Sequence, residues 1–242
     1  MTTLTLVENG LDAPTVPLRW PRYYRLVNSA YPPIDLFEDI ANPADWELLA
    51  AAESRTNPRL AATIGNLDKV PVERRVNGAG ASYLMAPFTH ASQDRPGRFH
   101  DGTFGAFYAA KTFETALFET VHHTGLFYAA TDEAPGWIAQ MRELIGSVDA
   151  KLADVRDKRF EALHAPDDYR ASQNFARRLK ELSGEGIIYP SARDEGGLCI
   201  ATFYPDVVVA PAQARHFSYH WNGSAIDMIK DLSTSEVFAI SE

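Results

Sequence analysis

Cysteine is almost missing from this 242-residue chain: Cys199 stands alone, so an intrachain disulfide and a cysteine-based zinc site are both excluded. Its setting, LCIATF, is that of a buried core thiol rather than a reactive nucleophile. Long hydrophobic runs are also lacking, since no stretch approaches the roughly 20 apolar residues of a membrane span. Basic excess is absent too. A formal net charge of −9 leaves no cationic footprint for nucleic acid or an anionic membrane, and neither is expected as a direct partner. The start, MTTLTLVENGLDAP, has neither the basic residues nor the apolar core of a signal peptide, which makes the cytoplasm the expected location. There is no repeat, low-complexity tract or long linker, and the length fits one domain spanning 1–242.

Several familiar chemistries fail on spacing. Ser191 lies in no G-x-S-x-G elbow, GAGAS at 78–82 is not a G-x-G-x-x-G loop, and the adjacent His122 and His123 point about 100° apart on a helix. That pair reads as satisfied or exposed rather than as metal ligands, and no metal is expected. Glu114 and Glu119, five apart on a helix, make a poor glycosidase pair.

What is present concentrates in GRFHDGTFGAFYAAKTFETALFET, residues 97–120. Arg98 is read on a short extended run closing at an Asp101-Gly102 hairpin turn, and Tyr108 on the returning strand TFGAFYAA. Thr112 can N-cap a helix with Phe113, Leu117 and Val121 as its buried stripe. Glu119 is then about 200° around from Leu117, beside Ala116, Thr120 and His123, where it can face a groove. A guanidinium matches phosphate oxygens, an aromatic ring stacks on a heterocycle, and a carboxylate holds a ribose hydroxyl and stabilises a developing cation. A dinucleotide such as NAD presents all three groups.

Elsewhere the first twenty residues are read as irregular, broken by Pro14 and Pro17, before a strand YYRLV that contains Arg25. Asn42-Pro43 opens a helix PADWELLAAAES that ends before Asn57-Pro58. ASYLMAPF is read as a strand. Asp167 to Ser183 is read as a helix with Phe175, Leu179 and Leu182 inward, stopped by Gly184 and Gly186. IIYP, LCIATFY and DVVVA are β-rich runs, and Ala225 to Leu232 is read as a last helix. Without regular βαβ alternation, the class is α+β.

The blocks GRF, FYAA and ALFE, with YYRLV before them and GIIYPSARDEGGLCIATFYPD after, resemble the RES domain, named for its Arg, Glu and Ser and known as the toxin of RES and Xre toxin-antitoxin pairs. Arg98, Glu119 and Ser191 fall in the order of that name, and Glu119 follows Tyr108 at a spacing of eleven positions. The resemblance implies an ADP-ribosyltransferase-like fold with a core of about 20–210, in which Ser29 to Ala79 is an insertion with a helical segment. It also implies cleavage of the bond between nicotinamide and ribose of NAD, by water or phosphate, without a prosthetic group, and an Xre-type antitoxin as partner. Arg98, Tyr108, Glu119 and Ser191 become the expected catalytic set; Arg25, Arg98, Tyr108, Ser191 and Arg193 the expected NAD contacts.

Each residue also has a plainer reading. Arg98 or Arg25 can be a surface charge, Tyr108 a core aromatic, Glu119 an exposed helix carboxylate, Ser191 a turn residue, and Arg193 is evenly balanced. Two other functions stay open: a mono-ADP-ribosyltransferase acting on a cellular protein, since the acceptor is not written in these residues, and a non-catalytic interaction module.

Overall fold

A computed structural model describes residues 11, 13–31, 33–38, 42–53 and 59–240. In chain order the elements are β1 (Thr15–Asn28), α1 (Asp35–Glu38), α2 (Trp46–Glu53), α3 (Arg59–Ile64), α4 (Ala81–Thr89), β2 (Phe107–Ala110), α5 (Phe113–Ala129), β3 (Gly136–Asp154), α6 (Arg170–Glu181), β4 (Gly186–Pro190), β5 (Leu198–Thr202), β6 (Ala212–Trp221), β7 (Ile226–Asp231) and β8 (Val237–Ala239). The eight strands among the described residues form one sheet in the order β1-β2-β5-β4-β3-β6-β7-β8, and β1 also pairs with β3. That extra pairing closes β1, β2, β5, β4 and β3 into a ring, with β6 to β8 as a wing. Every pairing is antiparallel except β3 with β4, as an α+β domain requires. Among the described residues no helix is long and apolar enough to cross a membrane.

Alternation along the strands divides the core in two. Ile187 and Tyr189 of β4 with Cys199 and Ala201 of β5 join a cluster under α5 and α6. The intervening Ile188 and Ile200 point to the other side, where Phe37, Trp46, Ile64, Leu84 and Phe88 of the helices between β1 and β2 cover the sheet.

Four sequence expectations are corrected. ASYLMAPF is helix α4, not a strand: Ala81, Leu84, Met85 and Phe88 recur at helical spacing on its buried side. Its cap is supplied from a distance, because the Glu38 carboxylate accepts from Gly80 N at 2.7 Å and Ser82 N at 2.9 Å. Ala225 to Leu232 is not a helix but strand β7, which returns from β6 through Asn222-Gly223. The Asn222 side chain accepts from Ser224 N and Ala225 N there, and Gly223 takes a φ of 100°. Pro17 does not interrupt β1. That half of the strand pairs only with β3, and an edge position does not need the missing N–H. DVVVA contributes a 3₁₀ turn, Pro205–Val207, and a single bridge from Val208 to Val148 rather than a strand.

Local signals are met where partners are local. Asn42 Oδ1 accepts from Ala44 N ahead of α2, and Thr112 accepts from Thr115 N at 3.2 Å ahead of α5. The Asn57-Pro58 stop lies outside the described residues, as does Met1 to Gly10 of the irregular start. Helix α6 is shorter than read, and of its three inward residues Leu179 is buried while Leu182 is exposed past the end.

Candidate functional site

Arg25, Arg98, Tyr108 and Glu119 line one cavity of about 500 Å³, although they come from β1, a loop, β2 and α5. Its size is within the range of small-molecule sites. Ala116, Glu119, Thr120, His123 and Leu126 form the α5 wall, and Tyr169, Tyr189 and Cys199 are among the other lining residues.

Arg98 does not sit on a strand closed by Asp101-Gly102. It occupies the corner of a tight turn whose flanks, Gly97 and His100, are bridged, and the returning strand is only Phe107–Ala110. The Arg98 guanidinium donates to Ala165 O at 2.7 Å and Leu163 O at 3.3 Å and lies over the Tyr169 ring, 4.7 Å from its centre. The turn rests on Tyr108, whose hydroxyl accepts from Phe99 N at 2.8 Å. Gly97 is needed at this crossing: a Cβ there would stand 2.6 Å from the His100 ring and 2.9 Å from the Tyr108 hydroxyl.

Arg25 reaches across from β1 to donate to Tyr108 O at 2.5 Å, with its guanidinium 4.8 Å from the centre of the Phe107 ring. Its Nε is buried and unpartnered. Burial lowers its pKa to about 10, so it stays charged at neutral pH. Two arginines against one glutamate give the cavity local positive charge inside a chain whose net charge is −9. Such a pocket favours an anion.

Ser191 follows β4, and its hydroxyl donates to Glu119 Oε1 at 2.6 Å. The loop that carries it is docked on the first turn of α5, where Thr115 Oγ1 donates to Asp194 Oδ2 at 2.5 Å. Ser191 therefore stands behind Glu119, outside the lining of the cavity. Arg193 is turned away: its guanidinium donates to Pro166 O at 3.0 Å and lies 3.4 Å from Asp167.

Burial pushes the Tyr108 and Tyr189 hydroxyls and the Cys199 thiol upward, so all three hold their protons at neutral pH. Cys199 is a buried wall group without thiolate character. His123 Nε2 lies 3.8 Å from Glu119 Oε2, and burial lowers its pKa. Sequence reasoning set His123 aside with His122 and overlooked Tyr169. His123 could have been found from its position one helical turn after Glu119; Tyr169 reaches Arg98 only through tertiary packing.

The model of the RES domain matches residues 72–222, well over half of the chain. The chain belongs to the RES domain family. Arg98, Tyr108, Glu119 and Ser191 lie inside the matched span, whereas Arg25 precedes it. The uncharacterized protein y4oC of Sinorhizobium fredii (strain NBRC 101917 / NGR234) is 29% identical over 208 residues, covering 86% of each chain. A solved structure described as the M. tuberculosis MbcT-MbcA toxin-antitoxin complex contains a chain 12% identical to this one, with a TM-score of 0.47, covering 84% of this RES protein and 86% of that chain.

Proposed function

We propose that this RES domain is the toxin of a toxin-antitoxin pair, has an ADP-ribosyltransferase-like fold, and cleaves the bond between nicotinamide and ribose of NAD. The observation that carries the reading is the shared cavity, in which two arginines face one glutamate whose carboxylate is held by Ser191.

The leaving group is a pyridinium that departs as neutral nicotinamide, taking the electron pair of the broken C–N bond, and it needs no general acid. Positive charge passes to the ribose. Glu119, at the cavity wall, stabilises that oxocarbenium-like species and accepts a hydrogen bond from a ribose hydroxyl. Arg98 and Arg25 hold the pyrophosphate, and the Tyr108 ring offers a stacking surface to nicotinamide. Ser191 acts through Glu119. Water or phosphate oxygen then bonds to the ribose carbon, with loss of a proton when water attacks. NAD is the substrate, and no prosthetic group takes part.

Incubation of the purified chain with NAD, followed by mass spectrometry, tests this. Free nicotinamide with ADP-ribose, or with its 1″-phosphate when phosphate is supplied, is expected. ADP-ribose found only on a protein would replace this reading with a mono-ADP-ribosyltransferase, and intact NAD would leave an interaction module. The partner in this reading is an Xre-type antitoxin in the cytoplasm. Expression of the chain alone should lower cellular NAD and arrest growth, and co-expression of the cognate antitoxin should restore both.

A further inference from the structure

The loop from Ala91 to Gly102 carries Arg98 and contains no helix or strand of its own. Helix α6 holds it at two points. Gln173 Nε2 on α6 donates to Gly97 O at 2.9 Å, and Arg177, one helical turn on, pairs with Asp101. The two ends of the loop meet at one cation. Lys69 Nζ donates to Ala91 O and, at 3.0 Å, to Gly102 O. The ends are packed backbone on backbone: Gly102 has a φ of 85°, and a Cβ on it would fall 2.2 Å from the Ser92 carbonyl.

Lys69 is itself fixed. It ends a 3₁₀ turn, Leu67–Lys69, in which Asn66 Oδ1 accepts from Asp68 N and the flanking Leu67 and Val70 are buried. The carbonyls of those two residues accept from the buried Arg75 guanidinium at 3.1 and 3.0 Å, and Arg75 is paired with Glu47 of α2 at 2.6 Å. A continuous polar chain thus runs from α2 through Arg75 and the Lys69 turn to the base of the Arg98 loop. Lys69 lies before residue 72, where the RES match begins.

We propose that Lys69 is a positioning residue for Arg98, and that the stretch from Leu67 to Arg75, anchored on Glu47, serves to close the loop that presents this arginine to the cavity. An ammonium suits the task because it offers three donors and no acceptor to two carbonyls left open by the loop. The effect on substrate rests on the NAD reading; the closure of the loop does not.

The test uses the full chain with Lys69→Met and Lys69→Arg, each also combined with Arg98→Ala. In Lys69→Met, amide hydrogen exchange should rise by roughly ten- to a hundredfold between Ala91 and Gly102, the scale of one hydrogen bond to a charged group, with β3 and β5 unchanged. KM for NAD should rise by about tenfold with kcat within about twofold, Lys69→Arg should recover most of the loss, and the Arg98→Ala background should show no further rise. Unchanged exchange in the loop overturns the proposal, and so does an equal additional loss without Arg98, which would make Lys69 merely structural. If Lys69→Met does not fold, Lys69→Gln takes its place; failure of both to fold also overturns it. Faster loop exchange in a variant of a parent that consumes no NAD would uphold the closure and remove NAD as substrate.

Discussion

Ser191 and Glu119 are joined at 2.6 Å by a hydroxyl that donates to the carboxylate and accepts from the N–H groups of Arg193 and Asp194, each at 3.1 Å. A hydroxyl has one proton and two lone pairs, and all three are engaged. The serine thus fixes one carboxylate oxygen of Glu119 to a backbone corner and leaves the other directed toward His123.

Ser191→Ala is therefore expected to lower kcat by about tenfold while KM for NAD changes little, since the carboxylate is present but free to swing. Two backbone donors lose their acceptor at once, and thermal unfolding should register a loss of about 1–3 kcal/mol. A kcat equal to that of the parent would detach Ser191 from the chemistry.

Glu119→Gln keeps an oxygen for the Ser191 hydroxyl but removes the charge. The variant should fold and bind NAD normally while turnover drops by about 10² to 10³, the scale of one electrostatic contact made in the transition state. Single-turnover assays together with calorimetric NAD binding separate the two effects. Near-parental turnover would take Glu119 out of the mechanism.

At Arg98 one arm, Nη1, donates to two carbonyls while the guanidinium lies over the Tyr169 ring, and the planar fork offers anion oxygens a bidentate geometry that an ammonium cannot copy. Calorimetry should find NAD affinity reduced by roughly tenfold in Arg98→Lys and further in Arg98→Ala. Equal affinity in all three proteins would make Arg98 a structural residue.

Asp101 supplies a pH dependence at the same loop. Burial alone would raise its pKa, but hydrogen bonds from Thr103 and Arg177 outweigh it and bring the carboxyl from 3.8 down to about 2. A depressed acid stabilises the folded state fully above its unfolded pKa, and that contribution is lost as pH falls through the folded value. Asp101→Asn should cost about 1–2 kcal/mol at pH 7, solvent screening included, and the difference from the parent should shrink below about pH 4 and vanish only once pH falls through about 2. Denaturant titrations across that range measure it; a difference independent of pH would mean that the Asp101 charge does not contribute.

Helix α5 and its polar wall were legible because their determinants lie within a few residues of one another: the Thr112 cap, the apolar stripe and the angular position of Glu119. The same local reasoning misread α4, whose cap arrives from Glu38, more than 40 residues earlier. It also misread β7, although Asn222-Gly223 is a hairpin signal, because the run Ala225 to Leu232 has no strict alternation. In the site, Arg25 and Arg98 stood out as charges with apolar neighbours. The turn that holds Arg98, and the support it receives from Lys69, Gln173 and Tyr169, depend on contacts that no short window of sequence contains.

The pairing of β1 with β3 sets when this pocket can exist during synthesis. Strand β1 is made early, yet its partners from Thr15↔Ala153 to Asn28↔Met141 are over a hundred residues downstream. Strand β2 likewise waits for β5, and Ser191 is made only after β4. Such distant pairings close slowly because the intervening chain must first be ordered. A ribosome that stalls before β5 releases a fragment holding Arg25, Arg98 and Glu119 without the strand that completes their enclosure, so truncated products carry the residues of the site but not the site.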